Sequence, residues 1–326
     1  MMNIRLAVAA ALLCCGAAQA QNSVKLYGLV DMSAGSTKNP GGKAVKGAES
    51  GKLSTSYFGL TGSEDLGDGL SAFFTLDSFL RADVGNSGRF NGDGFWARNA
   101  FVGLGHKDYG SVKLGRNTTP LFVTTLVYNA FGDSFGYSPS IRQYFTSGTV
   151  SGDSGWSDSV LYTSPKFGGF GFGLIVAAGE GAGGRNWGAN AGYSEGAFSA
   201  SAVFQKVAKD GSATVPMDDT KTWQLAMSYD LSVAKLFGQF GKVDNLSTKR
   251  DYRLTSLGAS VPMGSGKWLA QYGLISPSTG AKRKTFSFGY DHLMSKRTDL
   301  YAVYMSDKID GLSSGASYSL GIRHRF

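Results

Sequence analysis

From residue 23 to the carboxyl terminus, unlike residues alternate one by one, and only an extended chain with two different faces satisfies that period. In SVKLYGLVDMS, Val24, Leu26, Gly28, Val30 and Met32 share one side, and Lys25, Tyr27, Leu29, Asp31 and Ser33 share the other. LSAFFTLDSFLR sets Ala72, Phe74, Leu76 and Leu80 against Thr75, Asp77 and Arg81. FGFGLIVA and KTWQLAMSYD repeat the pattern, with Phe170, Leu174, Trp223, Leu225 and Tyr229 on the apolar side. The terminal SYSLGIRHRF puts Tyr318, Leu320, Ile322, His324 and Phe326 opposite Ser317, Ser319, Gly321, Arg323 and Arg325. Helical spacing describes none of these segments. Beyond the first twenty residues no apolar run approaches the ~20 residues of a membrane helix. Any crossing of a membrane must therefore be made by strands.

A soluble β-sandwich would also alternate, but its outer face should be charged. Here the less apolar face carries Gly, Ser, Thr and Gln with only occasional charges. Short connections (66–69, 107–110, 195–196, 263–266, 295–298) alternate with long polar ones (36–52, 84–94, 208–220, 277–283). About sixteen strands of ~10 residues fit that rhythm, as a closed antiparallel transmembrane barrel requires. Closure is forced because unpaired backbone groups in lipid are too costly. Register is forced because a one-residue slip would put Asp31 or Asp77 into hydrocarbon. Phe170, Tyr193, Phe198, Tyr229, Tyr290 and Phe326 gather at the short-turn ends, where amphipathic rings suit a lipid–water boundary. One pattern runs throughout, so residues 21–326 read as a single domain.

The first twenty residues, MMNIRLAVAAALLCCGAAQA, have a cation at Arg5, an apolar run and a small-residue end, which predicts a signal peptide cleaved after Ala20. A lipoprotein signal is the rival reading, disfavoured by the bulky Leu13 before the cysteines. Cys14 and Cys15 would leave with the leader, so no disulfide or thiol chemistry is expected afterwards. The formal charge of +8 falls to +7 without Arg5. With an export signal and scattered cations, that surplus does not indicate nucleic-acid binding.

Several stretches together resemble the trimeric Gram-negative porins of the neisserial and β-proteobacterial type: SVKLYGLVD, YFGLTGSEDLGDGL, ARNAFVGLGHKDYGSVKLGR, YTSPKFGGFGF, GYDHLMSKRTDLYAVY and the final GIRHRF. The resemblance runs from about residue 23 to 326. It implies a sixteen-stranded barrel in the outer membrane, a homotrimer, and a terminal Phe326 read by the barrel-assembly machinery. It also gives a purpose to residues 117–155, nearly forty without a clean strand, where the family's constriction loop folds into the lumen. By motif, Arg98 and Arg116 match arginines of the family's pore. Arg98 is expected inward with Ala100 and Val102; Lys25, Arg81 and Asp77 point inward by alternation. On the loop Asp133 is the acidic candidate and Arg142 a basic one. Two departures thin the expected filter: Tyr57 stands where an arginine often precedes FGL, and Val123 where an acid often follows PLF. Ser54, Ser56 and Asn99 are expected on lipid-side rows, which would suit a subunit contact through the first and last strands.

Catalytic chemistry is not visible. The three histidines, His106, His292 and His324, form no metal or triad spacing. GEGAGG (179–184) imitates a dinucleotide fingerprint but leads into a strand pattern rather than a helix. No cofactor is expected. The function implied is passive diffusion of small hydrophilic solutes and ions with mild anion preference. A substrate-specific channel for organic anions and a non-transport surface barrel (adhesin or receptor) stand as alternatives.

Overall fold

The alternation becomes a closed wall of strands in the computed structural model, which describes residues 23–150, 152–179, 184–208 and 218–326. The expected leader, with its cysteines, and most of GEGAGG lie outside the described residues. In chain order the strands are β1 (Ser23–Thr37), β2 (Val45–Ser50), β3 (Tyr57–Gly67), β4 (Leu70–Arg81), β5 (Asn86–Ser87), β6 (Asn99–His106), β7 (Gly110–Thr118), β8 (Gly155–Thr163) and β9 (Phe170–Ala177). They continue as β10 (Asn186–Glu195), β11 (Phe198–Val207), β12 (Thr220–Asp230), β13 (Lys235–Asn245), β14 (Arg250–Met263), β15 (Gly266–Pro277), β16 (Arg283–Leu293), β17 (Thr298–Ile309) and β18 (Gly315–Arg325).

Leaving aside the short β2 and β5, sixteen strands run antiparallel, each paired with its sequence neighbours. The sheet closes where β1 meets β18, from Leu29↔Arg325 to Ser36↔Tyr318. Closure satisfies the backbone groups that an open edge would leave in hydrocarbon. The final residue completes the seam: the Phe326 N–H donates to the Gly28 carbonyl at 3.1 Å, and the Gly28 N–H donates back to the Phe326 carbonyl at 3.2 Å. A side chain at Gly28 would collide with the Phe326 ring, its Cβ lying 2.5 Å from Cζ.

The two faces are unlike in the expected sense. On β18 Leu320 is 69 % exposed while Ser319 is 4 % exposed. On β12 Leu225, Met227 and Tyr229 stand outward and Thr222, Gln224 and Ser228 are buried inside. Much of the buried side is polar, and apolar clusters interrupt it, two of them against the loop between β7 and β8. Leu121 and Tyr144 of that loop, for example, pack with Val203, Val243, Leu254 and Ile275.

Three expectations about facing are corrected. Ala100 and Val102 lie on the outer row of β6: Val102 and Leu104 are exposed, whereas Phe101 turns inward against Phe73 with ring centres 6.2 Å apart. Ser54 and Ser56 are buried inside, because residues 51–56 leave the wall between β2 and β3 and fold over Asp31. The Leu53 and Ser54 N–H groups donate to Asp31 Oδ2 at 2.7 and 2.6 Å. Asn99 also faces inward, its amide donating to Asp77 at 3.0 Å. These three residues therefore offer nothing to a neighbouring subunit.

Candidate functional site

The chain between β7 and β8 packs within the barrel as two short helices, α1 (Pro120–Val127) and α2 (Pro139–Phe145), where no helix was expected. Each begins with a hydroxyl cap followed by proline: Thr119 accepts from the Phe122 N–H and Ser138 from the Ile141 N–H. A hydroxyl N-cap with proline at the first helical position is a start signal, legible in NTTP and YSP.

The inward glutamines and serines of the wall hold this loop. Gln239 donates to the Thr125 and Tyr128 carbonyls at 3.0 and 2.8 Å, and Gln271 donates to Ser140 Oγ at 2.7 Å. Tyr137 Oη is 2.6 Å from Ser319 Oγ, and Ser287 donates to the Tyr137 carbonyl at 2.6 Å. Buried hydrogen bonds of this kind net about 1 kcal/mol each, and more is lost when one partner is left alone. The loop is therefore a fixture of the lumen. With α1 packed on the inner wall, its exposed Val123 and Val127 look into the open space. Val123 thus leaves that surface without an acid.

Opposite the loop stands a paired wall. Arg98 lies just before β6, outside the ladder, and its Nη1 meets Asp77 Oδ2 at 2.7 Å while its guanidinium sits 3.9 Å from the Tyr57 ring centre. Tyr57 in turn packs edge-on against Tyr27, whose hydroxyl donates to Asp77. Asp77 thereby gathers Tyr27, Arg98 and Asn99 into one knot. Lys25 stands on the inner row opposite Thr61, exposed near the short-turn end.

Nearer the long loops, Arg81 donates to Asn91 at 2.8 Å and has no carboxylate partner among the described residues. It lines an open-sided cavity of about 400 Å³ together with Lys52, Arg89, Arg142, Glu49 and Asp83. Arg142 is held by Asp307 at 3.1 Å, which Arg283 also binds. Burial and the nearby Arg283 charge push the Arg142 guanidinium below its usual range, against the pull of Asp307.

Arg116 is placed differently from expectation. It pairs with Ala100 on the outer row, at a bulge between Gly115 and Asn117. Its side chain folds onto the Ala97 carbonyl, Ser157 and Asp153, bracing the wall against the end of the loop. Asp133 accepts from Ser54 at 2.8 Å, and Ser54 in turn accepts from Arg323 at 2.8 Å.

Apart from Arg323, already placed on the polar row of the last strand, several charged groups were not singled out by the sequence. Arg89 binds both Asp93 and Asp153, and stacks over Phe79 at 5.0 Å. Burial alone would raise the Asp153 carboxyl, but the Arg89 bonds and the Arg89 and Arg116 charges hold it below the usual carboxylate range. Arg323 bridges Asp299 and Asp291, and Lys113 lies over Phe101 on the inner row. A basic residue one strand away from an acid on the same row would have signalled such pairs, once the register was known.

A lipid-facing exterior, a polar interior and a loop fixed across the lumen define a membrane channel that sieves what passes. The chain belongs to the Gram-negative porin family, whose profile matches residues 7–312. It is 34% identical to outer membrane porin protein 32 of Delftia acidovorans, with 99% of each chain covered. It is 29% identical to an outer membrane porin of Bordetella pertussis, covering 98% of this chain and 99% of that one. An anion-selective porin from Comamonas acidovorans superposes with a TM-score of 0.80 at 28% identity, covering 94% of this chain and 100% of the other. OmpT of Vibrio cholerae shares the fold alone, with a TM-score of 0.71 at 16% identity, covering 94% and 98% of the two chains. The protein is a porin of the outer membrane.

Proposed function

We propose that this porin passes small hydrophilic solutes and ions passively and favours anions. The observation carrying this reading is an imbalance of pairing inside the barrel. Asp77, Asp153, Asp291, Asp299 and Asp307 are each ion-paired, and Asp31 and Asp133 are held by hydrogen bonds from Leu53, Ser54 and Tyr301, whereas Lys25, Arg81 and Lys113 have no carboxylate partner among the described residues. Compensated carboxylates contribute little field at a distance, and free ammonium and guanidinium groups attract the counter-ion. The similarity to an anion-selective porin supports the same direction.

Arg98, Tyr57 and Asp77 form the wall side of the constriction, Asp133 and Arg142 the loop side, and Arg81 guards the wide mouth. Arg116 serves as a brace. The family resemblance supports a homotrimer, a leader cleaved after Ala20, and recognition of Phe326 by the assembly machinery. It gives the protein no enzymatic role and no cofactor. Reversal potentials in a salt gradient across a planar bilayer test the reading. Chloride should be favoured over potassium, with three equal closing steps per insertion; potassium preference refutes the selectivity, and absence of conductance refutes the pore. Saturable block by an organic anion would point instead to a substrate-specific channel, for which the cationic 400 Å³ cavity is the place to look.

A further inference from the structure

We infer that, among the anions it passes, the lumen favours aromatic carboxylates; this inference rests on the pore reading. Cations of the inner wall stand beside aromatic rings. Lys113 Nζ lies 4.8 Å from the centre of the Phe101 ring, and Phe101 meets Phe73 edge-on at 6.2 Å. Arg98 covers Tyr57, which meets Tyr27 edge-on at 6.0 Å. Register puts all four rings on inner rows of neighbouring strands, where Tyr27 pairs with Gly59, Tyr57 with Leu29, Phe73 with Ser63 and Phe101 with Thr75. Each is half-buried, so part of each ring meets the water of the lumen.

The loop turns an apolar face to the same space. On α1, Val123 and Val127 are 44 % and 49 % exposed and lie one turn apart. Phe122 stacks on Phe135 at 5.7 Å with the planes 23° apart, and meets Phe145 edge-on at 5.2 Å; all three rings are half-buried. Carbon at such a surface offers no hydrogen bond to a hydroxylated solute that has shed its water. Phe135 also reaches the cavity of about 400 Å³ near the long loops, which Lys52, Arg81, Arg89 and Arg142 line with the carboxylates Glu49 and Asp83. Arg81 is the cation of that set with no carboxylate partner among the described residues: its Nη2 donates to Asn91 and its Nε has no acceptor. The volume falls within the ~300–1,000 Å³ of small-molecule sites. A benzoate-like anion matches both features, its carboxylate taking guanidinium N–H groups and its ring an edge or face of Phe135. A hydroxylated anion offers only the first contact, and an aromatic cation only the second.

The test measures reversal potentials of the purified porin in planar bilayers. The probes are benzoate, quinate (a carboxylate on a hydroxylated ring) and benzylammonium, with potassium chloride as reference. After correction for mobility in water, benzoate should permeate about threefold or more better than quinate, the scale of one aromatic contact. Benzylammonium should gain nothing over potassium. Two variants remove the apolar surface without touching a charge: Val123→Ser with Val127→Ser, on the exposed face of α1, and Phe135→Leu. Each should lower the benzoate-to-quinate ratio while leaving the chloride-to-potassium ratio as in the wild type. A benzoate-to-quinate ratio no greater than that of their mobilities would overturn the inference. So would an undiminished ratio in both variants, or an equal advantage for benzylammonium over potassium. Chloride preference without a benzoate advantage removes this inference alone, whereas absence of any conductance removes the pore reading and this one with it.

Discussion

Arg98 and Asp77 share one ion pair at 2.7 Å, with Asp77 1 % exposed and Arg98 30 % exposed. A paired site presents a short dipole to a passing ion, not a net charge. Removing either member exposes the other. Arg98→Ala leaves a carboxylate still held by Tyr27 and Asn99, so it lowers chloride preference. Asp77→Asn leaves a guanidinium over Tyr57 and raises it. An uncompensated unit charge about 4 Å from an ion in water is worth ~1 kcal/mol, or about a fivefold change in relative permeability. The double variant should return close to the wild type, because the two opposite shifts cancel. Bilayer reversal potentials at ~0.01 M salt, where the Debye length is ~30 Å, show the difference best. Single variants that shift selectivity in the same direction, or a double variant that stays as far from the wild type as either single one, would refute the paired-wall account. Heat stability should fall by only about 1 kcal/mol in Arg98→Ala, because the two remaining donors still satisfy Asp77.

Gly28→Val should impair assembly, since any side chain there meets the Phe326 ring and the Tyr57 carbonyl; overpacking costs about 1–3 kcal/mol, visible as a lower refolding yield and urea midpoint, and an unchanged midpoint would show that the seam can yield. Asp31→Ala removes the acceptor for the Leu53 and Ser54 N–H groups and the Tyr301 hydroxyl. It should cost about 3 kcal/mol or more and make residues 51–56 protease-sensitive, whereas continued resistance would place their support elsewhere. The Arg89 cluster sets an acid response. Burial opposes ionisation of Asp93 and Asp153, but their arginine bonds win and hold both carboxyls below their ordinary range. Depressed groups stabilise fully above the unfolded value of ~3.9, and that stability is lost as pH falls through the lower native values. Open-channel noise should thus stay flat from about pH 7 to 5 and rise only below about pH 4, while Asp153→Asn should be noisy at neutral pH; a quiet Asp153→Asn channel would detach this cluster from loop anchoring.

Faces were legible in the sequence because facing is a local property of an extended chain. Leu320 and Ser319 point apart whatever their neighbours do, and solvent on one side with lipid on the other fixes which goes where. The same logic failed on β6, where apolar residues occupy both rows and Ala100, Val102 and Asn99 took the opposite faces, and again where a residue left the ladder. Ser54 and Ser56 sit on a segment that folds inward over Asp31, and Arg98 precedes the first paired residue of β6, so counting by twos from Val102 carried no information about it. The charge pairs were hidden for another reason. Arg323 with Asp299, Arg142 with Asp307 and Arg89 with Asp153 join residues 24, 165 and 64 positions apart. Whether a lumenal charge is free or neutralised thus depends on register and on the resting place of the loop, neither of which alternation encodes. Selectivity in such a channel is set by what remains unpaired, so the composition of a wall, even one with its faces correctly assigned, gives the sign of its field only after the pairs have been subtracted. Lys25, Arg81 and Lys113 belong to that remainder here, and charge-reversing any one of them should move selectivity further than removing Arg116, whose guanidinium is already spent on Asp153 and the Ala97 carbonyl.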